Sequence, residues 1–241
     1  MMHLFTLTKL AWVLPVAFSW LTFGCCKQSE KDKAESSLRE TEYVASLKAI
    51  QKTLASDTLP PPGPCPELEV KPEKGYGGWD GFAQTATPGL FAMLDGKGSS
   101  KDELETWGWL SSDWLEELIL DKAGEKTAGF QASSHVTMLA KSPYVVIFRD
   151  KRRAMPKVSG DEGFDGGYFE GDLIVFERKT GNALCRAALA AESSEEVSHK
   201  TRGISAKSAE DALNDDFRKQ FANAASAALT KIAPTLKISV H

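Results

Sequence analysis

The sequence predicts an α+β protein: a single domain whose central antiparallel β-meander is packed by helices, preceded by a signal peptide, a tether and an N-terminal helix. Three observations carry that prediction. Two pairs of β-rich runs are joined by short turns: 135–140 (HVTMLA) with 144–149 (YVVIFR) around Lys141-Ser142-Pro143, and 168–178 (YFEGDLIVFER) with 183–191 (ALCRAALAA) around Lys179-Thr180-Gly181-Asn182. Within these runs Val145 to Phe148 and Leu173 to Phe176 are apolar at every position, the pattern of strands buried on both faces. Further on, Leu213, Phe217, Phe221, Ala224, Ala228 and Ile232 keep helical spacing, between a capping Ser208 with its Asp211 and a terminating Pro234.

The other elements follow along the chain. Leu10 to Gly24 is an uncharged apolar run preceded by Lys9; at about fifteen residues, with Pro15 inside it, it suits the apolar region of a signal peptide covering 1–24 better than a membrane span. Residues 25–37 are polar and charged and read as a tether. Over 38–57, Tyr43, Leu47, Ile50 and Leu54 mark one helical face, too short for a coiled coil and suited to packing on its own domain. Residues 58–66 (TLPPPGPCP) cannot continue that helix, because proline lacks the backbone donor; they form an extended linker before the body at 67–241. In the body, Leu90 to Leu94 suggests a short strand, Ser100 to Glu103 a capping box, and Ser112-Asp113 the start of a helix carrying Trp114, Leu115, Leu118 and Ile119 inward. Leu236, Ile238 and Val240 alternate with polar residues as in a half-buried terminal strand.

The apolar run ends in Thr22-Phe23-Gly24-Cys25-Cys26. A small residue followed by cysteine at that place resembles the lipobox of bacterial lipoproteins, with bulky Phe23 and the early position of Leu21 as departures from the pattern. The resemblance covers this segment alone. It implies acylation of Cys25, a membrane partner through that lipid, and an outer-membrane address, because Cys26 stands where an inner-membrane protein of the class carries aspartate.

Cys65 and Cys185 remain in the body. In an exported chain an even remainder suggests a disulfide, here from the proline-rich linker to a strand, and the alternative is two separate thiols. The body has no CxxC pair that would suggest a zinc ribbon or a thioredoxin-type site.

Chemistry is sparse. With 29 basic and 33 acidic residues, formal charge −4, the chain lacks the basic excess that nucleic-acid binding requires. No G-x-S-x-G elbow, HExxH helix or P-loop occurs, and no cofactor is implied. Tyr76, Trp79, Asp80 and Phe82 form a glycine-rich aromatic loop that could stack on a glycan or ligand, whereas Trp107, Trp109 and Trp114 suit a core. Asp161, Asp165 and Asp172 fall at three positions of a calcium loop, but Gly163 and Phe169 occupy others where oxygen ligands belong. This acidic stretch could instead pair with the basic run at 150–157, which itself could meet anionic head groups or peptidoglycan. The expected function is a non-enzymatic binding or structural module of the cell envelope with a protein or polymer partner. The alternative is an envelope hydrolase drawing carboxylates from Asp80, Asp161, Asp165 or Glu170, with His135 or His199.

Overall fold

The structure is a computed structural model that describes residues 21–56, 58–69, 82–95, 105–122, 124, 142–159, 163–197 and 208–239, with side chains of the first helix from Ser37 onward. Helix α1 (Leu21–Ala55) is followed by strand β1 (Gln84–Ala86), helix α2 (Pro88–Ala92), helix α3 (Asp113–Lys122), strands β2 (Tyr144–Ala154), β3 (Lys157–Ser159), β4 (Gly163–Asp165), β5 (Tyr168–Glu177) and β6 (Asn182–Glu192), and helix α4 (Ala209–Ile232). Strands β2, β5 and β6 form the expected antiparallel meander, in a four-stranded sheet ordered β1-β2-β5-β6. Its fourth strand differs from expectation: β1 pairs with β2 in parallel. The runs 100–103 and 135–140 lie outside the described residues, as does the side chain of Trp114.

Alternation along the strands divides the apolar residues between two cores. Tyr144, Val146, Phe148, Leu173, Val175 and Cys185 face α4, whose Phe217, Phe221, Ala225 and Leu229 close one layer. Val145, Ile147, Ile174 and Phe176 face the other way, onto Tyr43, Leu47 and Ile50 of α1, Leu90 and Phe91 of α2, and Leu115, Leu118 and Ile119 of α3. The sheet is therefore covered by helices on both sides. The α4 layer is aromatic: Phe221 meets Trp109, Phe148 and Phe169 edge-on at 5.2, 5.1 and 5.0 Å. Trp107 and Trp109 are core residues, with Arg153 and Arg218 over their outer faces at 4.6 and 5.5 Å.

Several element boundaries depart from the sequence reading. Residues 88–92 are helical, not a strand, because Thr87 accepts from the Leu90 N–H and Pro88 presets the first helical residue. Helix α1 starts at Leu21, so 25–37 is helix where a tether is expected; Gln, Glu, Lys and Ala there are good helix formers, and no proline or glycine interrupts 25–55. The four residues that mark the apolar face of α1 pack on the domain itself, and Glu40 pairs with Lys122 of α3. Among the described residues the C-terminal stretch makes a single bridge, Lys237 with Phe82, rather than a strand, and Val240 lies outside them. Ser208 and Asp211 form the reciprocal capping box that opens α4.

The proline-rich linker crosses the β6 edge. The Gly63 N–H donates to the Arg186 carbonyl at 3.0 Å, the Cys65 N–H to the Ile232 carbonyl at 2.8 Å, and Cys65 is disulfide-bonded to Cys185 with Cα atoms 4.7 Å apart. Strap, edge strand and the end of α4 are thus joined at one point.

Candidate functional site

Helices α1 to α3 cover only part of their side of the sheet. Beyond Ile147 and Ile174 the same face presents Arg149 and Arg152 on β2, Tyr168, Glu170 and Asp172 on β5, and Ala188, Ala190 and Glu192 on β6. The register explains which side chains meet there. A β-bulge between Asp150 and Arg152 shifts the pairing so that Arg152 stands opposite Glu170 while Arg153 turns to the opposite core over Trp107. Gly171 makes the bulge possible, because a β-carbon there would overlap the Arg149 carbonyl oxygen.

Charge is neutralised across this face. Arg152 Nε and Nη2 both donate to Glu170 Oε2, which holds the guanidinium more firmly protonated, and the guanidinium lies 5.9 Å from the Tyr168 ring centroid. Asp172, 4% exposed, lies 3.9 Å from Arg149 Nη2 and 3.8 Å from Lys151 Nζ. The acidic stretch therefore pairs with the basic run just upstream. The same pairing argues against a calcium loop: 163–165 and 168–177 are strands, Asp165 is exposed on β4, and Asp172 is engaged by two cations on β5. Among the described residues no group of three or more His, Cys, Asp or Glu could hold a metal ion.

At the end of the face an open cleft of about 410 Å³ is lined by Arg152, Gly166, Gly167, Tyr168, Glu170 and Glu192, with Ser193 beside them. Its floor is fixed by two reciprocal bonds of 2.9 Å: the Ser193 N–H to the Gly167 carbonyl, and the Gly167 N–H to Ser193 Oγ. Close by, Ser194 Oγ donates to Asp216 Oδ1 at 2.8 Å and accepts from Gln220 Nε2 at 2.9 Å, which ties the strand end to α4. Chemically the cleft offers two carboxylates, a guanidinium already paired, and the half-exposed phenol of Tyr168. These groups can orient a polar ligand. They do not assemble a nucleophile with a base, and no histidine lies among the described residues.

Of the aromatic loop, Tyr76, Trp79 and Asp80 lie outside the described residues, as do Asp161, His135 and His199. Phe82 is half-buried, and its carbonyl accepts from Ser142 Oγ at 2.8 Å, so it borders the sheet rather than an open groove. The sequence reading set the acidic stretch that holds Glu170 against the basic run that holds Arg152, but it did not name Tyr168 or Glu192 beside them. The signal that could have found them is cross-strand alternation, once the register was known. Compared with family models, curated proteins and solved structures, the chain matches none.

Proposed function

We propose that this protein is an exported, lipid-anchored module of the bacterial cell envelope, facing the periplasm or the exterior, that binds an envelope protein or polymer without transforming it. The observation that carries the reading is the Cys65–Cys185 bond, which suits an oxidising compartment outside the cytoplasm and closes a loop of 120 residues around most of the sheet. The lipobox-like Gly24-Cys25 supports an anchor at Cys25, where two or more acyl chains give the stable attachment that one cannot. The open end of the sheet supports binding. Its Arg152 and Glu170 charges are paired with each other, its glycine floor is tied down, and Tyr168 offers one aromatic face to a ligand.

Intact mass of the protein from isolated membranes, with and without reductant, tests the address. The expected result is a chain beginning at Cys25 with acyl groups, heavier by about 2 Da after reduction. A full-length, unmodified and reduced chain overturns it. A photo-crosslinking residue in place of Tyr168 tests the cleft. It should capture an envelope component that the same probe at Lys179, on the opposite end of the sheet, does not.

A further inference from the structure

The cleft at the open end of the sheet keeps a charge imbalance after Arg152 is paired. Its lining holds one guanidinium, Arg152, against two carboxylates, Glu170 and Glu192. Arg152 donates twice to Glu170 Oε2, so Glu170 Oε1 keeps no bond among the described residues. Glu192 is exposed, with no ion pair among the described residues. The Tyr168 hydroxyl likewise has no hydrogen-bond partner among them, and the side chain is exposed. An anionic ligand would face both carboxylates and would have to share Arg152 with Glu170. A cation meets free carboxylate oxygens and an aromatic ring.

The register brings the two acidic groups and the ring together. Glu192 stands opposite Tyr168, while Ala190 stands opposite Glu170, and Glu170 opposite Arg152. Tyr168 and Glu192 thus form one row across the face, and Arg152, Glu170 and Ala190 form the next. Glu170 and Glu192 are diagonal neighbours, about 7–8 Å apart at the backbone. One ammonium group between them, with its three donors, can reach both carboxylates and lie against the Tyr168 ring. Ala190 is the gap in this wall. Its methyl side chain leaves a way across β6, from the edge of the sheet to Glu170.

The backbone beside that gap is free to pair. Backbone groups alternate in direction along a strand. The Arg186 carbonyl points outward to Gly63 of the strap, and the Ser193 N–H points inward to Gly167. The N–H and C=O groups of Ala188 and Ala190 therefore point away from β5; both residues are exposed, and among the described residues no strand lies beyond them. The strap bonds to this edge at Arg186, so the open stretch begins past it, at Ala188. A short peptide laid antiparallel there, as β5 and β6 already pair, bonds through the residue opposite Ala190, and the side chain of that residue falls on the cleft face. Strand β5 is two strand spacings from the peptide, about 10 Å. A lysine stem lying over Ala190 and the Glu170 side chain cover that span together.

We propose that the cleft takes the ammonium group of a lysine side chain, presented by an extended peptide that pairs with β6 at Ala188 and Ala190 and stops short of Arg186. This rests on the binding function proposed above and names the chemistry of its partner. Isothermal titration of the full chain in detergent with acetyl-Ala-Ala-Lys-Ala-Ala-amide tests it. The peptide should bind, and acetylating its lysine should weaken binding about tenfold. Glu192→Gln, at an exposed position, should weaken it about fivefold with the thermal melt unchanged. N-methylation of the lysine amide, which faces Ala190, should weaken binding about tenfold, whereas N-methylation of the following alanine, whose amide faces away, should not. Butylamine, an ammonium without a peptide backbone, should bind at least about tenfold more weakly. A lysine peptide that does not bind below about 10 mM overturns the proposal. So does one matched by its acetylated form, by butylamine or by the uncharged disaccharide chitobiose, one that Glu192→Gln binds as tightly as the wild type, or one that loses equally from either methylation. The photo-crosslinking residue at Tyr168 separates this inference from the broader one. Capture that excess lysine peptide abolishes supports both; capture that the peptide leaves unchanged keeps the cleft as a binding site and overturns the lysine preference; no capture and no titration overturn both.

Discussion

Tyr43 is buried against the sheet; among the described residues its hydroxyl has no hydrogen-bond partner, and the Arg178 guanidinium lies 4.9 Å from its ring centroid. Burial pushes the phenol well above its usual pKa near 10, and the charge of Arg178 offsets only part of that. A buried hydroxyl that bonds to nothing costs free energy, so Tyr43→Phe should leave stability unchanged or raise it by up to about 1 kcal/mol in urea melts. The pH dependence has a definite sign. The folded pKa lies above the unfolded one, so the contribution of Tyr43 is complete below pH ~10 and is lost as pH rises toward the folded value. Denaturation midpoints should fall above pH ~10, and Tyr43→Phe should flatten that fall. Asp172 shows the opposite treatment of a buried polar group: it is enclosed, but two cations stand beside it.

At the scale of elements, the turn between β5 and β6 is also the seat of α1. Gly181 has a φ of +71°, and a β-carbon on it would lie 2.6 Å from Ala49 Cβ and 2.7 Å from the Ala49 carbonyl carbon. Gly181→Ala combines an unfavourable left-handed residue, about 1 kcal/mol, with a collision against helix backbone. It should cost about 2–3 kcal/mol in total and raise hydrogen exchange in α1 before it does so in α4. Element type was legible wherever a period ran long enough. Leu213 through Ile232 announces α4, and the unbroken Leu173-Ile174-Val175-Phe176 announces a strand covered on both faces. Short elements were not legible: Gln84-Thr85-Ala86 carries no pattern, and Leu90 to Leu94 is equally apolar as strand or helix until Thr87 and Pro88 are weighed. The N-terminal half of α1 lacks an apolar stripe and so reads as a tether. The cleft was hidden for a different reason. Arg152 meets Glu170 because of a register shift at a bulge, and cross-strand register is a property of the folded pair rather than of either segment.

The whole molecule consists of two cores sharing one sheet, with the strap as its fastening. Closing a 120-residue loop contributes about 5 kcal/mol in the chain-entropy view, a large part of the net stability of a domain this size. Reduction, or Cys185→Ser with Cys65→Ser, should lower the unfolding free energy by roughly that amount in denaturant titrations under oxidising and reducing conditions. If both states unfold alike, the strap is not the fastening. The bond also determines what happens to a damaged chain. Between Cys65 and Cys185 the polypeptide is a closed ring that includes β1, α2, α3 and β2 to β5, while α1 and α4 leave it as two arms. One cut by a protease anywhere in the ring opens it without releasing a fragment. One cut in an arm sheds everything beyond it. A cut ring should therefore migrate as one species until reductant is added and then separate into two, whereas a cut in α1 or α4 should give two species at once. Outside the cell, where proteases act and thiols stay oxidised, such a chain can be broken once across its sheet and remain a single molecule.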